Sequence, residues 1–318
     1  MTNENQETPF EQVMVELADE TQPFSLRHLR AFSDMDSASL RILEQYWTNI
    51  SDNRKITLLE DLEELMEADT LVCCDGLAEF AMHDTHPGVR AQAIQLLWEC
   101  EHPHLINSFM AILEEDPAEE VRAAAAAALG KFVLLGELEE ISREKTDPVV
   151  AKLLDVIQRQ PAGQIQRKAL ESLGYSSDAS VPQLIKQAMQ QEDTRWIASA
   201  LFAMGRSLDN RWDATVLEHI KHNDLEVQIE AVRAAGDLEI AAAVDVLVEL
   251  LEEGDLDIEL LYQIYWALSK IGGKGVRELL ERELQEAIDE DQMDVLDMAL
   301  ENLEFTEDSE DFDLFDIE

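Results

Sequence analysis

A chain of 318 residues that is 46% hydrophobic but only 6% aromatic, with 12 glycines and 8 prolines, has room for two compact domains or one long repeat array and favours helix over sheet. Its 69 acidic and 24 basic side chains give a formal net charge of −45, which argues against nucleic-acid and anionic-lipid binding and favours either solubility alone or partners with a basic surface. Cys73, Cys74 and Cys100 are too few for a disulfide framework, and no apolar run approaches the roughly 20 residues that span a bilayer, so a cytoplasmic protein without a membrane segment is expected.

Taken in order, residues 1–22 are expected to form a flexible arm with a short helix near Phe10 to Leu17, broken at Thr21-Gln22-Pro23. Residues 23–305 read as a helical array. Ser25 to Phe32 and Ser37 to Ile50 open it, separated by the turn Ser33-Asp34-Met35-Asp36. Asp52, Asp84 and Asp116 then recur at intervals of 32, and Asp147, Asp193, Asp224 and Asp255 extend the series. Gly130, Gly174, Gly205, Gly236 and Gly272 follow at spacings of 44, 31, 31 and 36, in the range of stacked helix pairs. The long interval holds an extra or extended helix from Pro148 to Arg159, and Arg277 to Ala287 with Gln292 to Leu303 make a last pair.

The clearest unit starts at Asp116. Asp116 is predicted to cap a helix, Pro117 to occupy its first position, and Glu119 to reach back to the cap's N–H. Six alanines, Ala123 to Ala128, keep it thin, and Gly130 is predicted to end it in a left-handed turn. Val121, Ala124, Ala125, Ala128 and Leu129 share one face, as do Val227, Ala231, Ala234 and Ala235 farther on. These faces are expected to be buried between helices.

Asp84 with Val89-Arg90 and Asp116 with Val121-Arg122 share the Asp-x4-Val-Arg spacing of HEAT repeats. With alanine-rich second helices ending in Leu-Gly, the stretch from about residue 50 to 305 resembles the HEAT-like repeats of the phycobilisome lyase type. The later copies depart from the motif: Val227-Gln228 follows Asp224, and Trp196-Ile197 follows Asp193. The resemblance implies an all-α, right-handed α-solenoid of roughly seven to eight antiparallel helix pairs, with the second helices lining an inner surface. It leaves function open, because one fold hosts many activities.

On that implied inner ridge the outward positions are expected to include Ala91, Gln95, Ala123, Ala127, Arg167, Glu171, Ala198, Phe202, Ile229 and Arg233. Arg167, Phe202 and Arg233 are candidate protein contacts, as a less acidic stripe suited to an acidic or mixed peptide; a structural ladder of arginines and turn aspartates is the competing reading. For Arg90 and Arg122 the ladder is the expectation. Cys100-Glu101-His102-Pro103-His104 invites a metal check, since the topology can bring Cys73 or Cys74 toward Cys100 or His104. The spacing matches no standard zinc signature, so no metal and no cofactor is expected, and the cysteines read as small core residues.

No nucleophile elbow, phosphate loop or dinucleotide fingerprint is present, and the His-Glu dipeptides of HEAT-like iron hydroxylases are absent. A non-enzymatic protein-interaction scaffold is therefore expected, the alternative being an accessory or lyase-type protein that holds a small chromophore or metal. Residues 306–318 read as a disordered acidic tail. Its Phe312, Leu314, Phe315 and Ile317 suggest docking into a basic-rimmed apolar groove, against a solubility role alone.

Overall fold

The periodicity is realised as helix throughout. The computed structural model describes residues 9–159, 163–254 and 256–313, with side chains to Thr306, and among these there are seventeen α-helices, two 3-10 segments and no strand. The chain divides into two units, Met1–Ser172 and Leu173–Glu318.

The first unit holds α1 (Phe10–Ala18), a 3-10 segment (Leu26–Phe32), α2 (Ser37–Trp47), α3 (Asp52–Ala68), α4 (Asp75–Ala81), α5 (Pro87–Leu96), α6 (Leu105–Glu115), α7 (Glu119–Glu137), α8 (Arg143–Ile157) and nearly all of α9 (Gln164–Leu173). Helices α3, α5 and α7 pack against one another in succession, while α4 packs on α5 and α6 on α7. One helix pair cannot bury both its apolar faces, and stacking supplies the missing cover. The arm expected at residues 1–22 is docked from α1 onward: Val13, Met14 and Leu17 are fully buried, and Phe10 meets Phe32 edge-on at 5.4 Å. Residues 1–8 lie outside the described residues.

The second unit holds α10 (Val181–Ala188), α11 (Thr194–Arg206), a 3-10 turn (Asn210–Trp212), α12 (Asp213–His219), α13 (Leu225–Asp237), α14 (Ala243–Glu253), α15 (Ile258–Ile271), α16 (Val276–Glu286) and α17 (Glu290–Asp313). Here α11, α13, α15 and α17 pack in succession. The expected core face of α13, Val227, Ala231, Ala234 and Ala235, is buried. Around Ala125 the result is mixed: Val121, Ala125 and Leu129 are buried, whereas Ala124 and Ala128 are half-buried and Ala123 takes a core place instead. The backbone of α17 stays helical to Asp313, into the segment expected to be disordered from residue 306.

The glycines act differently from the expectation. Gly130, Gly205 and Gly236 sit inside helices, and Gly174 follows α9 directly; none of them has a left-handed φ. A Cβ on Gly174 would lie 2.8 Å from the Ala203 backbone, and one on Gly236 would lie 2.9 Å from Ala267 Cα. On Gly205 it would lie 3.1 Å from Ala234 Cα, and on Gly130 2.8 Å from Ser172 Oγ. The recurring glycine therefore marks where successive second helices touch backbone to backbone. The left-handed residue is not glycine: Leu208 (φ 48°) and Glu239 (φ 51°) come three positions after Gly205 and Gly236, and Glu139 (φ 62°) comes three after a second glycine of α7, Gly136. After α7 and α13 a six-to-one bond closes the turn, Glu140 N–H to Leu135 O and Ile240 N–H to Ala235 O. Only Gly272, at φ 62°, ends a helix as expected.

The aspartates also divide. Asp193 and Asp224 cap α11 and α13 with side-chain acceptors, as predicted. Asp84 and Asp116 also accept from the N–H two residues on, at 2.7 and 2.9 Å, but the cap positions of α5 and α7 fall to His86 and Ala118, and α7 starts at Glu119 rather than Pro117. Asp116's own N–H bonds Ile112 O, closing α6, so Glu119 has no cap to reach. Asp147 lies inside α8, whose start is Arg143 rather than Pro148, and Asp52 opens α3 behind Ser51. Asp255 lies outside the described residues.

Candidate partner-binding surface

Two neighbouring second helices of the second unit build the surface. Phe202 and Arg206 stand one helical turn apart on α11, so both project from one face. Arg233 occupies the position on α13 that matches Phe202, 31 residues on. The Arg206 guanidinium lies over the Phe202 ring at 4.0 Å and over the Tyr175 ring at 4.6 Å. Arg233 approaches the same Phe202 ring at 5.5 Å and pairs with Glu230 at 3.4 Å. Tyr175, Phe202, Arg206 and Arg233 are all half-buried. The aromatic faces attract the cations by their quadrupoles. Farther along the unit, Lys270 lies 5.7 Å from the Trp266 ring and bonds Asp237 at 2.7 Å.

Of the three residues singled out from sequence, Phe202 and Arg233 thus meet. Arg167 is half-buried on α9 in the first unit, with no side-chain partner among the described residues. Tyr175 and Arg206 were missed. The signal for Arg206 was present: it follows Phe202 by four residues on a helix. Other ridge positions are not outward at all. Ala123, Ala198, Ile229 and Glu171 are buried, because successive second helices approach closely enough to cover them. Side chains of Phe312, Leu314 and Phe315 lie outside the described residues.

The arginine ladder is present at Arg90. Its fork grips Asp116 with two bonds of 2.8 Å, and Nη1 donates to the Asp84 and Thr85 carbonyls at 2.9 and 3.0 Å. Burial pushes the Asp116 carboxyl up, but Arg90 and the Ala118 N–H outweigh it and hold it below the usual range. Asp84 is likewise lowered: burial opposes, while the His86 N–H, Lys55 at 2.8 Å and the Trp47 indole at 2.6 Å prevail. Arg122 departs from the pattern, since its buried Nε has no hydrogen-bond partner.

Cys74 and Cys100 are buried, and burial pushes both thiols up to about 12. Cys73 is exposed, contrary to a core role. Rather than Cys73, Cys74 or His104, it is Asp75 and His102 that gather with Cys100, all three ligand-type atoms lying within 4.8 Å of one another. His104 instead bonds Glu79 at 3.1 Å and stacks on His102.

A family model described as HEAT repeats matches residues 74–151 and 213–304, together a little over half of the chain. No curated protein matches. Among solved structures, the Escherichia coli protein YibA is 15% identical with a TM-score of 0.43, covering 88% of this chain and 95% of that one. The CpcE–CpcF complex of phycocyanin lyase from a Nostoc species is 18% identical, with a TM-score of 0.47 and coverage of 72% and 94%. Human deoxyhypusine hydroxylase is 16% identical, with a TM-score of 0.36 and coverage of 82% and 96%. No helix among the described residues is long and apolar enough to cross a membrane.

Proposed function

This chain belongs to the HEAT-repeat family, and from that premise we propose that it is a non-enzymatic scaffold in the cytoplasm that holds a protein partner with a basic surface. The observation that supports this reading is the Phe202 cluster. In a chain of net charge −45, two arginines converge on one half-buried phenylalanine, beside a half-buried tyrosine. Half-buried aromatic and arginine side chains are the usual anchors of protein interfaces. The acidic bulk would steer a basic partner, and the cluster would seat an acidic or aromatic side chain within that partner's surface. Arg167, in the first unit, would be a contact in its own right, and the acidic tail with Phe312, Leu314 and Phe315 would give a further point of attachment.

The test is capture of partners by the full-length protein from native lysate, comparing wild type with Phe202→Ser combined with Arg233→Ser. The double variant should lose a partner that wild type retains, with helical circular dichroism unchanged, because both side chains are only half-buried. Capture of the same set of partners by the intact-fold variant would overturn the assignment of this surface.

A further inference from the structure

Asp75 is the first residue of α4, and Cys100 and His102 lie in the connection from α5 to α6. In an antiparallel pair the start of the first helix and the end of the second share one edge, which is why these three meet. Their ligand-type atoms all lie within 4.8 Å of one another. The Cys100 thiol donates to the Asp75 carboxylate, and the backbone N–H of His102 donates to the Cys100 sulfur. Asp75 has no Lys or Arg partner among the described residues. Glu101, between Cys100 and His102, is engaged by Lys131 at 2.9 Å.

We propose that Asp75, Cys100 and His102 form a zinc site. One thiolate, one imidazole and one carboxylate make a donor set of intermediate softness, which suits Zn²⁺ and disfavours Ca²⁺ and Mg²⁺. Donors bound at zinc distances stand roughly 3.3–3.8 Å apart, as tetrahedral geometry on the known bond lengths requires. The cluster therefore has to close by at most about an ångström, and two of its members sit on a connecting segment. His102 is exposed, so the ion has an entry path, while Cys100 at 7% exposure supplies the shielded side. Binding forms a zinc–sulfur bond as the thiol proton leaves to the buffer; no electron is transferred. The fourth position is left to water. The bound ion ties the start of α4 to the segment after α5.

The experiment titrates Co²⁺ into the metal-stripped, reduced full-length chain and then displaces it with Zn²⁺. One equivalent of Co²⁺ should give a thiolate-to-cobalt charge-transfer band in the near ultraviolet, and Zn²⁺ should abolish it. Cys100→Ser should lose the band, while Cys73→Ser keeps it. His102→Ala and Asp75→Asn should each weaken Zn²⁺ binding at least about tenfold, the effect that even an outer partner of a metal site has. His102 is exposed, so its removal leaves the fold intact, and Zn²⁺ should raise the melting temperature of wild type but not of His102→Ala. Absence of the band in wild type, its survival in Cys100→Ser, or equal Zn²⁺ affinity of wild type and His102→Ala would overturn the site.

Discussion

Lys55 shows what a single residue does here. Its ammonium is almost fully buried, 2.8 Å from an equally buried Asp84 carboxylate that also accepts from the Trp47 indole. Removing one partner of such a pair leaves an uncompensated charge, so Lys55→Met is expected to destabilise by about 3–5 kcal/mol in chemical denaturation. The carboxylate predicts a pH dependence as well. Asp84 is held below its ordinary value in the fold, so it favours the fold fully above the unfolded carboxylate range near pH 4, and the contribution disappears as pH falls through the lower, folded value. Acidification also relieves the self-repulsion of 69 carboxylates, which works in the opposite direction on the whole chain. The comparison that isolates Asp84 is the stability gap between wild type and Asp84→Asn, which should shrink as pH falls from 7 to below the folded value. Sequence alone pointed to Asp84 as a recurring turn residue but not to Lys55 as its partner, because Lys55 lies 29 residues upstream on a different helix.

At the scale of the element, the repeat was legible and its punctuation was misread. The 31-residue step from Gly174 to Gly205 to Gly236 is a true structural period, since each of these glycines faces the next second helix. What sequence could not separate is a glycine needed for a left-handed φ from a glycine needed for lack of a Cβ. Both fall at the end of an alanine-rich helix. The difference is testable by exchanging the two roles. Gly236→Ala removes a helix-interior glycine, worth up to about 1 kcal/mol by propensity, yet places a Cβ 2.9 Å from Ala267 Cα, part of a backbone that cannot swing aside. Net destabilisation of about 1–3 kcal/mol is expected from overpacking. Glu239→Gly should do the reverse and stabilise by about 1 kcal/mol, because it relieves the left-handed backbone at φ 51°. Thermal or urea unfolding of the two variants checks both signs. The ridge was misjudged for the same reason: the close approach that glycine permits covers Ala198 and Ile229 and leaves only longer side chains such as Phe202 and Arg233 partly exposed.

For the whole molecule, charge decides which partners can approach. The excess is concentrated at one end of the chain: from Glu283 to Glu318 there are sixteen carboxylates and no Lys or Arg. Although α17 packs on α15 and buries Leu296, Ala299 and Leu303, the carboxylates of this stretch repel other acidic surfaces at moderate ionic strength. Solubility would be served by carboxylates alone, yet Phe312, Leu314, Phe315 and Ile317 alternate with them. Apolar side chains interleaved with like charges gain only from a surface that is apolar in its middle and basic at its rim. Two consequences separate docking from solubility. Binding of such a partner should weaken as salt rises from low to physiological strength, since screening removes the rim contribution while leaving the apolar one. Phe312→Ala with Phe315→Ala should abolish that binding while leaving net charge and melting temperature as in wild type, because no carboxylate is changed. A salt-sensitive partner retained by the double variant would mean that the carboxylates alone account for the attraction and that the aromatic residues of the tail have no part in it.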